Sequence, residues 1–195
     1  TATTPLSTTS AARTTAVTAT TATSTTGTTP VGTSTTATLP KGTLPDFNTA
    51  RSNYPQSDHP ANTTNMDLPA ADVYTLVGGK VKELYDSDPA SYGNACALRM
   101  SVVLNSSGAN IPEVAGTFKG ADGNNYFLSA TKFNDYMTTT YGPPTISVKT
   151  EAGILGHQGI YVVLPNYPGK FGASGHATMY DGSDCMSSHC YFGAE

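Results

Sequence analysis

The chain has 195 residues, a net charge of −4 and charged side chains at only 12 % of positions. It carries no long basic run, which argues against nucleic acid as a partner, and no apolar run approaching the roughly 20 residues that a membrane-spanning helix needs. It opens on Thr1 rather than Met and shows no signal peptide, as expected of a mature or excerpted form.

Residues 1–45 read as a leader. The first forty are mostly Thr, Ser and Ala, contain no aromatic residue, and have Arg13 as their only charge. Such a stretch cannot bury enough apolar surface to offset its ordering entropy, so it is expected to be disordered or extended. Thr and Ser with scattered Pro also match an O-glycosylated stalk. Residues 46–195 are expected to form one domain.

Within that domain, residues 46–68 are a polar lead-in. Leu68-Pro69 then opens a helical pattern with Val73, Leu76, Val77, Val81, Leu84 and Tyr85 on one face. Gly78-Gly79 interrupt it, which predicts close packing or a break between two shorter helices. Asp86 to Tyr92 reads as a loop. Asn94 is positioned to cap a second helix, through Cys96 to about Asn105, with Gly108 as its stop. Leu98, Val102 and either Val103 or Leu104 supply the buried face of that helix.

Asn124 to Ser129 predicts a strand. Ser129 caps a third helix carrying Phe133, Tyr136 and Met137, and Gly142-Pro143-Pro144 ends it. Gly159–Leu164 and Gly175–Tyr180 predict apolar strands. Helices first and strands later make an α+β domain.

Three cysteines are present. Cys185 and Cys190 are near neighbours and Cys96 stands apart, which predicts a local disulfide and a free thiol. A disulfide implies an oxidising compartment, hence a secreted protein. The sequons at Asn62 and Asn105 are compatible with secretion.

A thiol attacks as thiolate, and a helix N-terminus lowers its pKa. Cys96 falls in the first turn after Asn94, and Arg99 lies one turn later. A nucleophilic Cys also needs a base. Of the four histidines, His59 is in the lead-in, His157 in a Gly-bounded turn and His189 in the cysteine loop. His176 opens a strand, with Thr178 on the same face. A zinc site from His176, Cys185, His189 and Cys190 is disfavoured, because the spacing is irregular and adjacent His189-Cys190 would chelate awkwardly. No metal and no cofactor are expected.

From Val77 to Phe192 the chain resembles the type VI secretion amidase effector 4 family. The motifs are Gly78-Gly79-Lys80-Val81, the Asn94-x-Cys96-x-x-Arg99-x-Ser101 block, Leu104-Asn105, Gly108 and Ile111-Pro112. Tyr126-Phe127-Leu128, Tyr136-Met137 and Tyr141-Gly142-Pro143-Pro144 continue it, and Gly175-His176 through Asp181-Gly182 closes it, with Cys185 following.

The resemblance implies a papain-like, NlpC/P60-type domain that hydrolyses the γ-D-glutamyl–meso-diaminopimelate bond of peptidoglycan stem peptides. Cys96 would be the nucleophile and His176 the base, with backbone N–H groups near Cys96 stabilising the oxyanion. Asn94, Arg99 and Ser101 would bind substrate, and Cys185 and Cys190 would supply the family's short disulfide. It also implies an antibacterial toxin with an immunity protein as partner, and nothing in the sequence demands more than a monomer.

The family orients its His with an Asp in the cysteine loop, but here that loop reads Met186-Ser187-Ser188-His189. Asp184 is the substitute, with Asp181 as second candidate. Tyr180 stands where the family has Trp or a similar aromatic residue. The leader is foreign to the bacterial members and points to export by an ordinary secretory route. The competing reading is a non-catalytic wall-binding module on a mucin-like stalk.

Overall fold

A computed structural model of the protein describes residues 13–18, 40, 42–57, 67–187 and 189–192. Most of the leader, His59 and the Asn62 sequon lie outside the described residues.

In chain order the elements are strand β1 (Arg13–Thr18), helices α1 (Phe47–Ser52), α2 (Ala70–Val77), α3 (Gly79–Ser87), α4 (Pro89–Tyr92) and α5 (Cys96–Ser106), then β2 (Thr117–Lys119) and β3 (Asn125–Phe127). Helix α6 (Ala130–Tyr141) follows, then a 3-10 turn (Glu151–Gly153), β4 (Gly159–Leu164), α7 (Pro168–Phe171) and β5 (His176–Tyr180). The result is a helical domain with a small antiparallel sheet, consistent with the α+β reading. No helix among the described residues is long and apolar enough to cross a membrane.

Helix α5 is the axis of the fold. Every residue from Cys96 to Asn105 is buried, so the helix is covered all round rather than along the one stripe expected from Leu98 and Val102. One side packs with α1, α6, β4 and β5 through Met100, Val103, Leu104, Phe133, Val162 and Ala177. The opposite side packs with α2 and α3 through Leu98, Val102, Val73, Val77 and Val81.

The sheet has the order β1-β4-β5. Strand β5 runs antiparallel to β4 with Val163 opposite His176 and Gly159 opposite Tyr180. Strand β1, inside the stretch expected to be disordered, pairs antiparallel with the other edge of β4 from Arg13–Leu164 to Thr18–Gly159. A strand ladder needs only backbone N–H and C=O groups, and Thr and Val favour extended backbone. The segment can therefore pair without apolar periodicity. Strand β3, within the strand expected over Asn124 to Ser129, pairs with the unforeseen β2, and α4 forms in the stretch Asp86 to Tyr92 expected to be a loop. Elements β2, α4 and α7 are too short to give a periodicity signal.

The Gly78-Gly79 pair breaks the helical pattern in two. Both have positive φ, +63° and +58°, and the Gly78 N–H closes α2 on the Tyr74 carbonyl at 2.9 Å. The break turns Leu76, expected in the core, out to solvent at 62 % exposure. It also lets the chain pass close to the β2-β3 turn. A Cβ on Gly79 would stand 2.5 Å from the Gly120 carbonyl carbon, whereas one on Gly123 (φ +80°) meets nothing within 4 Å.

Gly79→Ala is therefore expected to lower stability by about 3 kcal/mol or more, combining strain with a clash, and Gly123→Ala by only about 1 kcal/mol from strain alone. Urea unfolding of both variants measures the difference, and equal losses would rule out the clash.

Candidate active site

Cys96 is the first residue of α5. Its burial follows from the burial of the helix: the thiol is 4 % exposed. Ala95, not Asn94, stands at the N-cap. The Asn94 side chain still serves the helix start, because its Oδ1 accepts the Cys96 N–H at 3.2 Å. The thiol donates to the Gly175 carbonyl at 3.8 Å, a long sulfur contact.

Position 175 requires glycine. Gly175 has φ +150°, and a Cβ there would lie 2.5 Å from the Val163 carbonyl oxygen. The chain thus enters β5 tightly against β4 and delivers His176 as the first strand residue, 7 % exposed. Cys96 and His176 line one pocket of about 240 Å³ with Asp67, Asn94, Arg99, Ser187, His189 and Tyr191. The Tyr191 ring stands edge-on to the His176 ring at 4.8 Å and stacks with His189 at 5.4 Å.

The other expected site residues divide. Asn94 and Arg99 line this pocket. The Arg99 guanidinium is buried and engaged, donating to the Leu68 carbonyl at 2.6 and 3.2 Å and pairing with Asp67 at 3.4 Å. Ser101 does not reach the pocket. It is fully buried, donates to the Ala97 carbonyl at 2.8 Å and accepts the Phe127 N–H at 3.0 Å. It lies more than a turn down the helix, where it joins α5 to β3 rather than facing a ligand.

Asp184 is also displaced from its expected role. Its carboxylate accepts the adjacent Cys185 N–H at 2.7 Å. With Asp181 it lines a separate surface pocket beside Arg51. The turn 181–184 carries both carboxylates away from His176. The group found at His176 is Ser187, whose Oγ is 2.8 Å from Nε2.

Cys185 and Cys190 form a disulfide with Cα atoms 5.4 Å apart, so neither sulfur is a free thiolate for a metal. Asn105, the second sequon, is buried. Its amide donates to the Asn125 carbonyl and accepts the Ile111 N–H, which leaves no exposed acceptor for a glycan.

The family model described as type VI secretion system amidase effector protein 4 (Tae4) matches residues 92–193, more than half of the chain. The chain belongs to this family. It is similar to a chain of the Tae4–Tai4 effector–immunity complex from Salmonella Typhimurium, at 30 % identity over 77 % of this chain and 91 % of that chain, with a TM-score of 0.63. It is similar to a chain of the Salmonella typhimurium effector Tae4 in complex with the immunity protein Tai4 from Enterobacter cloacae, at 30 % identity over 77 % and 89 % and a TM-score of 0.64. For the Enterobacter cloacae Tae4–Tai4 complex the values are 28 %, 73 %, 84 % and 0.60. No curated protein matches the chain. As a Tae4-family amidase the protein is a peptidoglycan hydrolase.

The Tae4 match contains every named wall of the pocket except Asp67. Sequence reasoning also missed Tyr191 and, in their site roles, Ser187 and His189. No spacing rule marks these residues; only the path of the loop after β5 brings them to His176.

Electrostatics at the site differ from the expectation of a lowered thiol pKa. Burial pushes the Cys96 thiol up, and the backbone N–H groups of Ala177 and Ala97 pull it part of the way back. The helix N-terminus is present, but here desolvation outweighs it. Burial, with Arg99 and then His189 adding to it, lowers His176 from 6.5 to about 4. The resting pair is therefore neutral thiol and neutral imidazole.

The folded protein thus rejects a proton that the unfolded chain accepts between pH 6.5 and about 4. This contribution to stability is complete above pH 6.5 and is lost as pH falls toward 4, to a total of about 3 kcal/mol. Urea unfolding at pH 7, 5.5 and 4 is expected to show that loss in the wild type and a shallower one in His176→Gln. Parallel pH dependences would assign the acid sensitivity elsewhere.

Proposed function

We propose that the protein cleaves the γ-D-glutamyl–meso-diaminopimelate bond of peptidoglycan stem peptides, with Cys96 as nucleophile and His176 as general base. The observation that carries this is the free thiol at the start of α5 and the imidazole opening β5 in one small pocket. A helix-borne Cys beside a strand-borne His also supports the papain-like, NlpC/P60-type reading of the domain.

His176 takes the Sγ proton as sulfur attacks the amide carbon, since a neutral pair must transfer that proton during attack rather than before it. The N–H groups of Ala97 and Ala177 that act on the sulfur favour the developing thiolate. Backbone N–H groups in the first turn of α5, near Cys96, stabilise the tetrahedral oxyanion. The C–N bond then breaks, the imidazolium protonates the leaving amine, and an acyl thioester remains on Cys96. Water, deprotonated by His176, attacks the thioester carbon. The γ-D-glutamate carboxyl is released and the proton returns to sulfur.

Three of the similar Tae4 structures are complexes with Tai4 immunity proteins, and this chain is assigned a protein inhibitor of the same kind. Action on a wall outside the producing cell fits the disulfide and the Thr/Ser-rich leader, which support export.

Digestion of Gram-negative sacculi is expected to release muropeptides ending in γ-D-glutamate, read by mass spectrometry, with the rate lost roughly a thousandfold or more in Cys96→Ala. Release of nothing by either protein, with both bound to sacculi, would replace the enzyme by a wall-binding module. Asp184→Asn is expected to keep its rate within about threefold, because an exposed carboxylate away from the pocket is replaced. A loss near that of Cys96→Ala would return Asp184 to the site.

A further inference from the structure

On the catalytic reading above, His176 needs one ring nitrogen free to take a proton and the other held. The holding group in the structure is a hydroxyl. Ser187 is 3 % exposed, and its Oγ lies 2.8 Å from His176 Nε2. The same hydroxyl donates to the His189 carbonyl at 3.2 Å. A hydroxyl has one proton to give. With that proton on the His189 carbonyl, Ser187 presents a lone pair to Nε2. Nε2 then carries the imidazole proton, and Nδ1 is left as the basic nitrogen.

The backbone of Ser187 is held as well. Its N–H donates to Thr178 Oγ1 at 3.2 Å. Thr178 is fully buried and lies two residues beyond His176, on the same face of β5. Its Oγ1 is 3.3 Å from the Tyr54 hydroxyl, which donates to Asp67 Oδ1 at 2.8 Å. Asp67 in turn pairs with Arg99. The Cys185–Cys190 disulfide closes the loop on either side of Ser187. The position is therefore anchored from the strand, from the segment before α2 and within its own loop.

We propose that Ser187 is the positioning residue of the Cys96–His176 pair, its hydroxyl fixing the Nε2–H tautomer of His176 without adding a charge. Thr178 and the Tyr54–Asp67 contact hold Ser187 in place. The charged and titratable groups around His176 are Cys96 and Arg99 on α5, Asp67 ahead of α2, and His189 and Tyr191 in the loop after β5. A hydroxyl at position 187 offers none of the stabilisation that a carboxylate would give an imidazolium, in keeping with the lowered pKa of His176.

The test combines nitrogen NMR of histidine-labelled full chain at pH 7 with hydrolysis kinetics on sacculi, the His176 signals being assigned by difference with His176→Gln. In the wild type the proton is expected on Nε2. Ser187→Ala is expected to lose that preference and to drop kcat roughly 10- to 100-fold with little change in KM. Ser187→Thr, which keeps the oxygen, should restore both. Ser187→Asp should stay active with the acid limb of its pH–rate profile moved up by about one pH unit or more.

A wild-type proton on Nδ1, or a Ser187→Ala protein with unchanged tautomer and kcat, overturns the proposal. If the wild type hydrolyses nothing, the catalytic reading falls, while the NMR signals still decide whether Ser187 sets the tautomer. Activity lost in Cys96→Ala but retained in full by Ser187→Ala would sink the Ser187 role alone.

Discussion

The burial of α5 on every side is the constraint on which the rest of the structure depends. A helix covered all round must have its first turn inside the protein, so the residue at its start is delivered to the interior with its N–H groups. Helices α2 and α3 cover one side, and α6 with the β4-β5 pair covers the other. Cys96 meets the start of β5 because the helix and the strand share that packing. Gly175 lets the strand come close enough, since any side chain there would strike β4.

The same burial sets the chemistry. Desolvation disfavours the charged forms of both Cys96 and His176, so the two groups move in opposite directions and neither is ionised at rest. The helix N-terminus and the nearby N–H groups act against this for the thiol. Their contribution becomes useful once charge develops on sulfur. A neutral pair that ionises only during attack spares the fold the cost of a permanently buried ion pair.

Around this pair the polar side chains form a connected set. Arg99, Asp67, Tyr54, Thr178 and Ser187 link the lead-in segment to the loop after β5. Each is buried or half-buried, and each finds a partner. Burial raises the Asp67 carboxyl, while Arg99 and the Tyr54 hydroxyl oppose the rise. Tyr54 and Asp67 lie before the stretch matched by the Tae4 family, so the lead-in contributes to the site although the family pattern does not include it.

Much of this was legible in the chain itself. Periodicity located α2, α3 and α6, the Gly-Gly pair marked the break between helices, and the apolar runs marked β4 and β5. The motifs around Cys96 and His176 located the two groups that share the pocket. These features are local: they follow from side-chain period, from capping and from the backbone freedom of glycine. Tertiary structure decided what local signals do not encode. It turned Leu76 outward, took Ser101 into the α5–β3 contact, consumed the Asn105 amide and paired β1 with β4. It also chose the neighbour of His176. Asp184 and Ser187 are three residues apart in one loop, and sequence ranks the carboxylate above the hydroxyl. The backbone path from Tyr180, held by Thr178 and by the disulfide, points one side chain to a surface pocket and the other to the imidazole. That path is set by contacts between residues far apart in the chain, and it is the reason that the partner of His176 could be read only from the fold.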